Sequence, residues 1–233
     1  MPSDQRPPNR LLQALPAADF ELTRQHLQIV ELTRDFILVE AGRPLAQVWL
    51  PHSGIISLAV SLSDGQAIEV AMLGNDGIVG APEALSDAVA LTDAVVLCPG
   101  AASVLAVADL KMIADKSIAW RQLLAVHHQA LLAQAQQSVA CNAAHSVEER
   151  LSRWLLRAHE LWQGEALPMT QELLARMLGV QRNAVSIVAH ALQQAGVISY
   201  SRGHIEILDQ EALRKTSCEC YRAAKSKQAH LFR

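Results

Sequence analysis

Polar side chains line one face of a helix that is predicted from about Arg182 to Gln194. At 100° per residue, the apolar residues of this segment fall on the opposite face. The polar residues are Arg182, Asn183, Ser186, His190 and Gln193, and none of them is a carboxylate. Such a face suits contact with a polyanion, and Arg and Asn at a helix start can pair with guanine and adenine in the DNA major groove. The pattern therefore predicts a helix that reads DNA.

The elements around this helix predict a winged helix-turn-helix. Thr170 is a good N-cap for a short helix over 171–178, and Gly179 suits the tight turn that follows. Farther on, two apolar-rich runs flank Arg202-Gly203, which predicts a hairpin with a basic tip able to meet phosphate. The predicted DNA-binding residues are Thr170, Gln181, Arg182, Asn183, Ser186, His190, Ser201, Arg202 and His204.

A long helix and a domain boundary precede this segment. The stretch from Ser117 to about Ala144 contains neither Pro nor Gly, and a helix of that length spans roughly 40 Å. Heptad spacing links Leu124, Leu131 and Ser138, with Ile118, His127, Gln134 and Cys141 near the intervening positions. This seam favours dimerisation, and packing on the helix's own domain is the alternative. Ser146 and Glu149 then form a capping box that begins a helix running to about Trp162.

The first half of the chain predicts short helices followed by an antiparallel β-roll. Helical segments lie between Asn9 and Leu27, where Asp19 is a candidate cap. From Ile29 to about Val96, six short apolar runs alternate with turn residues, and Asp64-Gly65 is a hairpin signal. Helical character returns near Ala101. Strands with a turn about every ten residues are typical of a small barrel or roll.

Composition narrows the classes of protein. The chain is 51% hydrophobic and 18% charged, which describes a globular protein able to bury a core. Its apolar runs are shorter than the roughly 18–20 residues that span a bilayer, and Met1 to Asn9 lacks the apolar core of a secretion signal. We therefore expect a cytoplasmic protein without a membrane partner. The segment 146–233 holds 12 Lys/Arg against 9 Asp/Glu, whereas the rest holds 8 against 14, so one end is mildly basic.

The four cysteines are Cys98, Cys141, Cys218 and Cys220. They form no CxxC pair, and we expect no tight cluster among them. In a reducing cytoplasm four free thiols are expected. A metal or redox role for Cys218 and Cys220 would need further ligands, which the sequence does not identify. We therefore predict neither a metal site nor a cofactor.

On these residues and motifs, the chain resembles the Crp/Fnr family of bacterial regulators, most strongly over 146–208. The resemblance implies a cyclic-nucleotide-binding-type β-roll, a long dimerisation helix and a winged helix-turn-helix. It also implies a homodimer on a palindromic operator, a sensor domain that adjusts the long helix, and contact with RNA polymerase. The family's recognition helix typically reads Arg-Glu-Thr-Val-x-Arg, and the matching stretch here is 182–187. Arg182 matches a base reader, whereas Asn183 and Ile187 differ, so we expect a different operator.

The roll departs further from the family. Cyclic-nucleotide binders carry a Gly-Glu-Leu cassette followed by Arg-Ser or Arg-Thr, and the stretch here, 80–90, has a displaced Glu83 and no cation. No Lys or Arg occurs between Arg43 and Lys111, and a buried phosphate without a cation is costly. We therefore expect that cyclic AMP is not the effector. No cysteine precedes Cys98, which argues against the family's N-terminal iron–sulfur cluster. Haem ligation by His26, His52, His127 or His128 is less favoured than ordinary core or surface roles.

The predicted fold is α+β, with a jelly-roll-like β-roll over 1–115, a dimerisation helix over 116–145 and a winged helix-turn-helix over 146–233. The predicted function is sequence-specific transcription regulation with an unidentified effector, not enzymatic catalysis. An enzyme built on the roll would need converging histidines and carboxylates, and His52 stands alone among the strands. The other alternative is a regulatory adaptor or ligand sensor whose DNA-binding end is degenerate.

Overall fold

The computed structural model describes residues 6–63, 65–86 and 89–231. The chain divides into two compact units, one formed by Met1–Ile56 and Leu73–Gln129 and the other by Ser57–Met72 and Ala130–Arg233. The helices are α1 (Arg10–Ala14), α2 (Ala17–Arg24), α3 (Ala81–Ser86), α4 (Val107–Lys116), α5 (Ile118–Ala144), α6 (Val147–Leu161), α7 (Gln171–Leu178), α8 (Arg182–Gln194), α9 (Gln210–Thr216) and α10 (Cys220–Leu231). The strands are β1 (Gln28–Leu32), β2 (Ile37–Val39), β3 (Gln47–Pro51), β4 (Ile55–Ser61), β5 (Ala67–Leu73), β6 (Asp93–Cys98), β7 (Gly100–Ala106), β8 (Ile198–Ser201) and β9 (His204–Ile207). The mixed α and β architecture agrees with the predicted class.

Antiparallel sheets form the N-terminal half, as predicted. One sheet has the order β1-β7-β3, and the other has the order β2-β6-β4-β5. All six runs that predicted strands contain one, whereas the short helix α3 was not foreseen. The hairpin signal at Asp64-Gly65 lies partly outside the described residues, because Asp64 is not described. The polar start over 1–5 and the residues 87–88 after Ser86 lie outside them too.

Strand β7 corrects the prediction that helical character returns near Ala101. In the structure this segment pairs with β1 on one side and with β3 on the other, so that Ala102 lies opposite both Val30 and Pro51. Its residues Ala102, Ser103 and Leu105 are fully buried. Alanine favours helices in isolation, but central pairing in a sheet outweighs that preference. Helix begins only at Val107.

Three of the four histidines considered as haem ligands have protein partners inside the first unit. The His52 Nε2 and Ser103 Oγ atoms lie 2.8 Å apart, and His127 Nε2 lies 2.8 Å from the backbone oxygen of Ile78. Burial lowers the pKa of His127 to about 4 and also lowers the pKa of His52. His26 Nδ1 lies 3.1 Å from a carboxylate oxygen of Asp109. These three histidines are therefore accounted for by core and surface packing.

Helix α5 is a continuous helix of 27 residues, as its composition predicts. The predicted dimer seam is wrong at Leu124 and Ser138, because both residues are buried within the protein. The exposed stripe at heptad spacing consists of Ile118, which the predicted seam also included, and of Ala125, Leu132 and Val139, which it did not. Ile118 is 64% exposed and Val139 is 68% exposed. The helix is apolar on two sides, so periodicity alone could not show which side faces solvent.

The second unit is built on α6. Ser146 and Glu149 form the predicted capping box, in which each side chain bonds the other residue's backbone amide. The helix then buries an apolar face against the elements of the helix-turn-helix. This core contains Leu151, Trp154, Leu155, Leu156, Leu174, Val185, Leu192, Ile198 and Leu213. Within residues 6–63, 65–86 and 89–231, no helix combines the length and the apolar composition that crossing a bilayer would need.

A carboxyl group is enclosed within the second unit, between β5 and α6. Glu69 Oε1 accepts a hydrogen bond of 2.8 Å from Trp154 Nε1, and its other oxygen is shielded from solvent. Burial raises the pKa of Glu69 to about 7, against the lowering effects of Ser57, Arg153, Trp154 and Arg157. Desolvation of the charged form therefore outweighs the neighbouring cations at this position.

Candidate nucleic-acid interface

Local signals hold the two helices of the helix-turn-helix in place. The Thr170 hydroxyl oxygen accepts a hydrogen bond from Leu173 N–H at 3.2 Å, which caps α7 as predicted. Gly179 ends that helix with φ of +62°, and its N–H donates to the carbonyls of Ala175 and Arg176. Glycine adopts this left-handed conformation without steric cost. The turn to α8 thus forms where the sequence predicts it.

Helix α8 presents a buried face and an exposed polar face. Val185, Ala189 and Leu192 are buried, whereas Arg182, Asn183 and His190 are exposed. At the start of the helix, Gln181 makes no side-chain cap bond to any described residue. Glutamine is a weaker helix cap than Ser or Thr. The polar groups at this helix start therefore face solvent.

Neighbouring residues restrain two of the predicted contact side chains. The Ser186 hydroxyl donates to Gln171 Oε1 at 2.6 Å, and Ser186 is only partly exposed. Arg182 Nε lies 3.9 Å from a carboxylate oxygen of Glu172, and both side chains are 66% exposed. Helix α8 itself carries no acid, but α7 thus brings one to the same surface. An exposed ion pair at this distance contributes little stabilising free energy, so a nucleic acid could displace Glu172 from Arg182.

The wing is a tight hairpin whose tip is basic. Strands β8 and β9 pair antiparallel, with Ser201 opposite His204. The two residues between them, Arg202 and Gly203, have φ of +49° and +78°, as a type I′ turn requires. Arginine rarely adopts a positive φ, so the tip holds an exposed cation at a conformational cost. Ser201, Arg202 and His204 are all exposed.

Thr170 lies beside the wing, which joins the predicted contacts into one surface. A Cβ atom placed on Gly203 would come within 3.3 Å of Thr170 Cγ2. The two-residue turn therefore lies against the N-terminus of α7. Gln193 Oε1 accepts a hydrogen bond of 2.9 Å from Tyr200 N–H, which ties the end of α8 to β8. Gln193 thus supports the wing.

The contact set predicted from the sequence leaves out Ile187, which is 71% exposed. At 100° per residue it lies about 40° from Asn183 on the outer side of α8. Selecting only polar side chains missed it. An exposed isoleucine at this position is suited to contact a thymine methyl group. Its exposure is a signal that only the folded helix reveals.

The cysteines correct the expectation that they form no tight cluster. Cys141, Cys218 and Cys220 are buried together, and His145 joins them. The ligand atoms of these four residues all lie within 4.8 Å of one another. Positions that are far apart in sequence are thus brought together by the fold of the second unit.

Comparisons with known proteins agree with this geometry. Residues 149–216 match the Crp-like helix-turn-helix domain family. The fold is similar to FixK2 from Bradyrhizobium japonicum, with a TM-score of 0.71, 16% identity, and coverage of 82% of this chain and 98% of that one. For a putative transcriptional regulator of the Crp/Fnr family from Eubacterium rectale, the TM-score is 0.70 and the identity is 17%, with coverage of 88% of this chain and 96% of that one. For a Crp/Fnr-family transcriptional regulator from Thermus thermophilus, the TM-score is 0.68 and the identity is 21%, with coverage of 82% of this chain and 98% of that one. No curated protein matches.

Proposed function

The chain has the fold of the Crp/Fnr transcription regulators and carries a Crp-like helix-turn-helix domain, and we propose that it binds a palindromic DNA operator as a homodimer. Proteins of this family and fold are transcription regulators, not enzymes. The observation that carries the proposal is the outer surface of α8 together with the wing. Arg182 and Asn183 stand exposed at the start of α8, and Arg202 stands exposed at the wing tip.

Each predicted residue has a role in this proposal. Arg182 and Asn183 contact base edges, and Ile187 contacts a thymine methyl group. Ser186 and His190 lie farther along the same helix and contact the edge of the groove. Thr170 and Gln181, with Ser201, Arg202 and His204 of the wing, contact phosphates. Because Asn183 and Ile187 differ from the family's usual readers, the operator differs from its commonest half-site.

Helix α5 provides the dimer contact through its exposed heptad stripe. Ile118, Leu132 and Val139 are each more than half exposed, an unfavourable arrangement for a monomer in water. A second copy of the helix packed along this stripe would bury them in a two-stranded seam. Two-fold symmetry then places one α8 in each of two successive major grooves.

The division into a sensor over 1–115, a dimerisation helix over 116–145 and a DNA-binding domain over 146–233 is part of this proposal. So is the cytoplasm as the site of action, together with contact with RNA polymerase. Cyclic AMP is not the effector in this scheme, because 80–90 provides no cation for its phosphate. Calorimetry with cyclic AMP and cyclic GMP should give no binding heat. Micromolar binding of either nucleotide would contradict this assignment of the roll.

DNA recognition is tested by selecting bound fragments from random duplexes with the purified full chain. We expect a palindromic consensus whose half-sites lie about one helical turn apart. Measuring the affinity for that consensus and for a scrambled duplex across a salt series separates specific from non-specific binding. If the dimer selects no sequence and binds no duplex, the adaptor with a degenerate DNA-binding end becomes the better explanation.

Dimerisation through α5 is tested with the variant Leu132→Lys, whose molar mass in solution is measured by light scattering. Leu132 is 51% exposed, so lysine is tolerated in the monomer but places two cations in the seam. We expect the variant to become monomeric and to lose operator affinity. Leu91→Lys, at a position that is 77% exposed in the roll, is the matched control and should remain dimeric. A dimeric Leu132→Lys protein would place the interface elsewhere.

A further inference from the structure

Three cysteines and a histidine of the second unit converge where α5 ends. Cys141 and His145 lie one helical turn apart, and the His145 N–H donates to the Cys141 carbonyl at 3.1 Å. Cys218 and Cys220 flank Glu219, with Cys218 in the short connection after α9 and Cys220 at the start of α10. Cys141, Cys218 and Cys220 are each at most 5% exposed. The cluster therefore joins the end of the long helix to the C-terminal segment of the chain.

Two separations within the cluster are close to those of a tetrahedral metal site. The Sγ atoms of Cys141 and Cys218 are 3.5 Å apart, and Cys220 Sγ lies 3.6 Å from His145 Nδ1. Zinc binds thiolate sulfur at about 2.3 Å and imidazole nitrogen at about 2.0 Å, so a tetrahedron has edges of about 3.8 Å between sulfurs and about 3.5 Å between sulfur and nitrogen. One ion at the centre could reach all four atoms with small side-chain adjustments.

The surrounding hydrogen bonds independently orient these groups toward a metal. The second ring nitrogen of His145, Nε2, lies 3.3 Å from a carboxylate oxygen of Glu219. Metal-bound histidines commonly donate their other N–H to a carboxylate, which fixes the tautomer and directs the free nitrogen at the ion. Gln137 Nε2 donates to Cys220 Sγ at 3.0 Å, and Lys227 Nζ donates to Gln137 Oε1 at 3.3 Å. A thiolate bound to a metal accepts such hydrogen bonds.

We propose that Cys141, His145, Cys218 and Cys220 bind one Zn²⁺ ion per chain in a closed structural site. Three thiolates and one imidazole in tetrahedral array are a zinc donor set, and four protein ligands leave no position for a catalytic water. A disulfide between Cys141 and Cys218 would leave His145 and Cys220 without a role. In a four-iron cluster each ligand binds a different iron, which separates the ligands more widely than observed here.

The position of the site indicates what the metal does. His145 immediately precedes Ser146, which caps α6 at the start of the DNA-binding segment. The ion would fasten the start of α10 and the residues before it to the end of α5 and the connection that follows, because two ligands come from each of these segments. It thereby holds the connection between the two helices in one geometry. This inference does not depend on DNA binding, since it concerns only the metal and the packing of the second unit.

The first test is metal analysis of the purified full chain. We expect close to one zinc per chain by mass spectrometry of the native protein and by elemental analysis. Protein refolded without metal should regain zinc with an affinity that competes with a chromophoric chelator. Substitution with Co²⁺ should give a thiolate-to-cobalt charge-transfer band whose intensity reflects three sulfur ligands. No zinc at purification together with no uptake after refolding, or iron with sulfide in its place, would overturn the proposal.

The second test separates the ligands from an ordinary buried cysteine. Cys218→Ser and Cys220→Ser should each bind zinc more weakly than wild type and be purified with less than one zinc per chain. With saturating Co²⁺, each should show a charge-transfer band lower by about a third, because one of three thiolates is removed. Cys98→Ser is the matched control, since Cys98 is also buried but belongs to the other unit, and it should keep both zinc and band. His145→Cys retains four ligands and should still bind zinc. If Cys98→Ser lost zinc while Cys218→Ser and Cys220→Ser kept it, the metal would bind elsewhere.

Discussion

The second unit contains two kinds of polar group, exposed and enclosed, which also differ in how far apart in the sequence their members lie. The surface that we propose contacts DNA draws its side chains from a short stretch of sequence, Thr170 to His204, and nearly all of them are exposed to solvent. The cysteine–histidine cluster and Glu69 draw theirs from distant positions, and Cys141 and Cys218 are 77 residues apart. Exposed groups interact weakly with their neighbours, whereas enclosed ones carry a large solvation cost. Changes to the surface should therefore affect recognition, and changes to the enclosed groups should affect stability.

The largest expected effect comes from Glu69→Gln. Burial raises the pKa of Glu69 from 4.5 to about 7, so the folded protein holds this proton more tightly than the unfolded chain. Its contribution to the free energy of unfolding is therefore present below pH 4.5 and is lost as pH rises to about 7, a change of about 3 kcal/mol. Glutamine resembles the protonated form and should remove this dependence. Chemical denaturation at several pH values measures it.

The matched control is Glu206→Gln, because Glu206 is exposed on the wing. It should leave the pH dependence of the wild-type protein unchanged. If wild type and Glu69→Gln lose stability in parallel between pH 4.5 and 7, Glu69 is ionised in the folded state throughout this range. That result would contradict the expectation that enclosed polar groups affect stability more than exposed ones.

Arg182→Ala tests the surface side of the contrast. Losing a two-point contact to a base should reduce discrimination against the wrong base pair by roughly 1–3 kcal/mol, or about 5- to 150-fold. The unfolding midpoint should stay within experimental error, because the Arg182 ion pair with Glu172 is exposed. Competition binding with the selected operator and its single-base variants measures this loss of discrimination. Arg214→Ala, on α9, is the control and should retain the preference. A variant that prefers the same operator as strongly as wild type shows that Arg182 reads no base.

Arg202→Asn should give a smaller and non-selective effect. Asparagine favours the positive φ that Arg202 adopts, so the type I′ turn should form at least as well. The variant loses a phosphate contact, which lowers affinity for all sequences alike and reduces the slope of log affinity against log salt by about 1. Titrations of operator and scrambled duplex at several salt concentrations report both quantities. An unchanged slope would place the wing tip away from the phosphates.

The two kinds of polar group also differ in how far the sequence could predict them. The helix-turn-helix follows from local signals, namely the Thr170 cap, the Gly179 turn and the apolar spacing of α8, and the structure confirms all three. Strand β7 was missed because its small residues favour a helix until β1 and β3 pair with it. The cysteine–histidine cluster was missed for a related reason. Cys141 and His145 have helical spacing, but their partners are placed by the packing of the C-terminal segment, which no local pattern encodes.

The smallest expected effect concerns the start of α8. Gln181 has the extended backbone of an N-cap but makes no side-chain cap bond to a described residue. Serine at this position can accept a hydrogen bond from a first-turn N–H, so Gln181→Ser should raise the free energy of unfolding by about 0.5–1 kcal/mol. Thr170→Ala removes the corresponding bond to Leu173 N–H and should lower it by about 1 kcal/mol. Thermal unfolding of both variants beside wild type compares the two caps. Equal stability of Gln181→Ser and wild type would show that the first-turn amides of α8 are already satisfied by water.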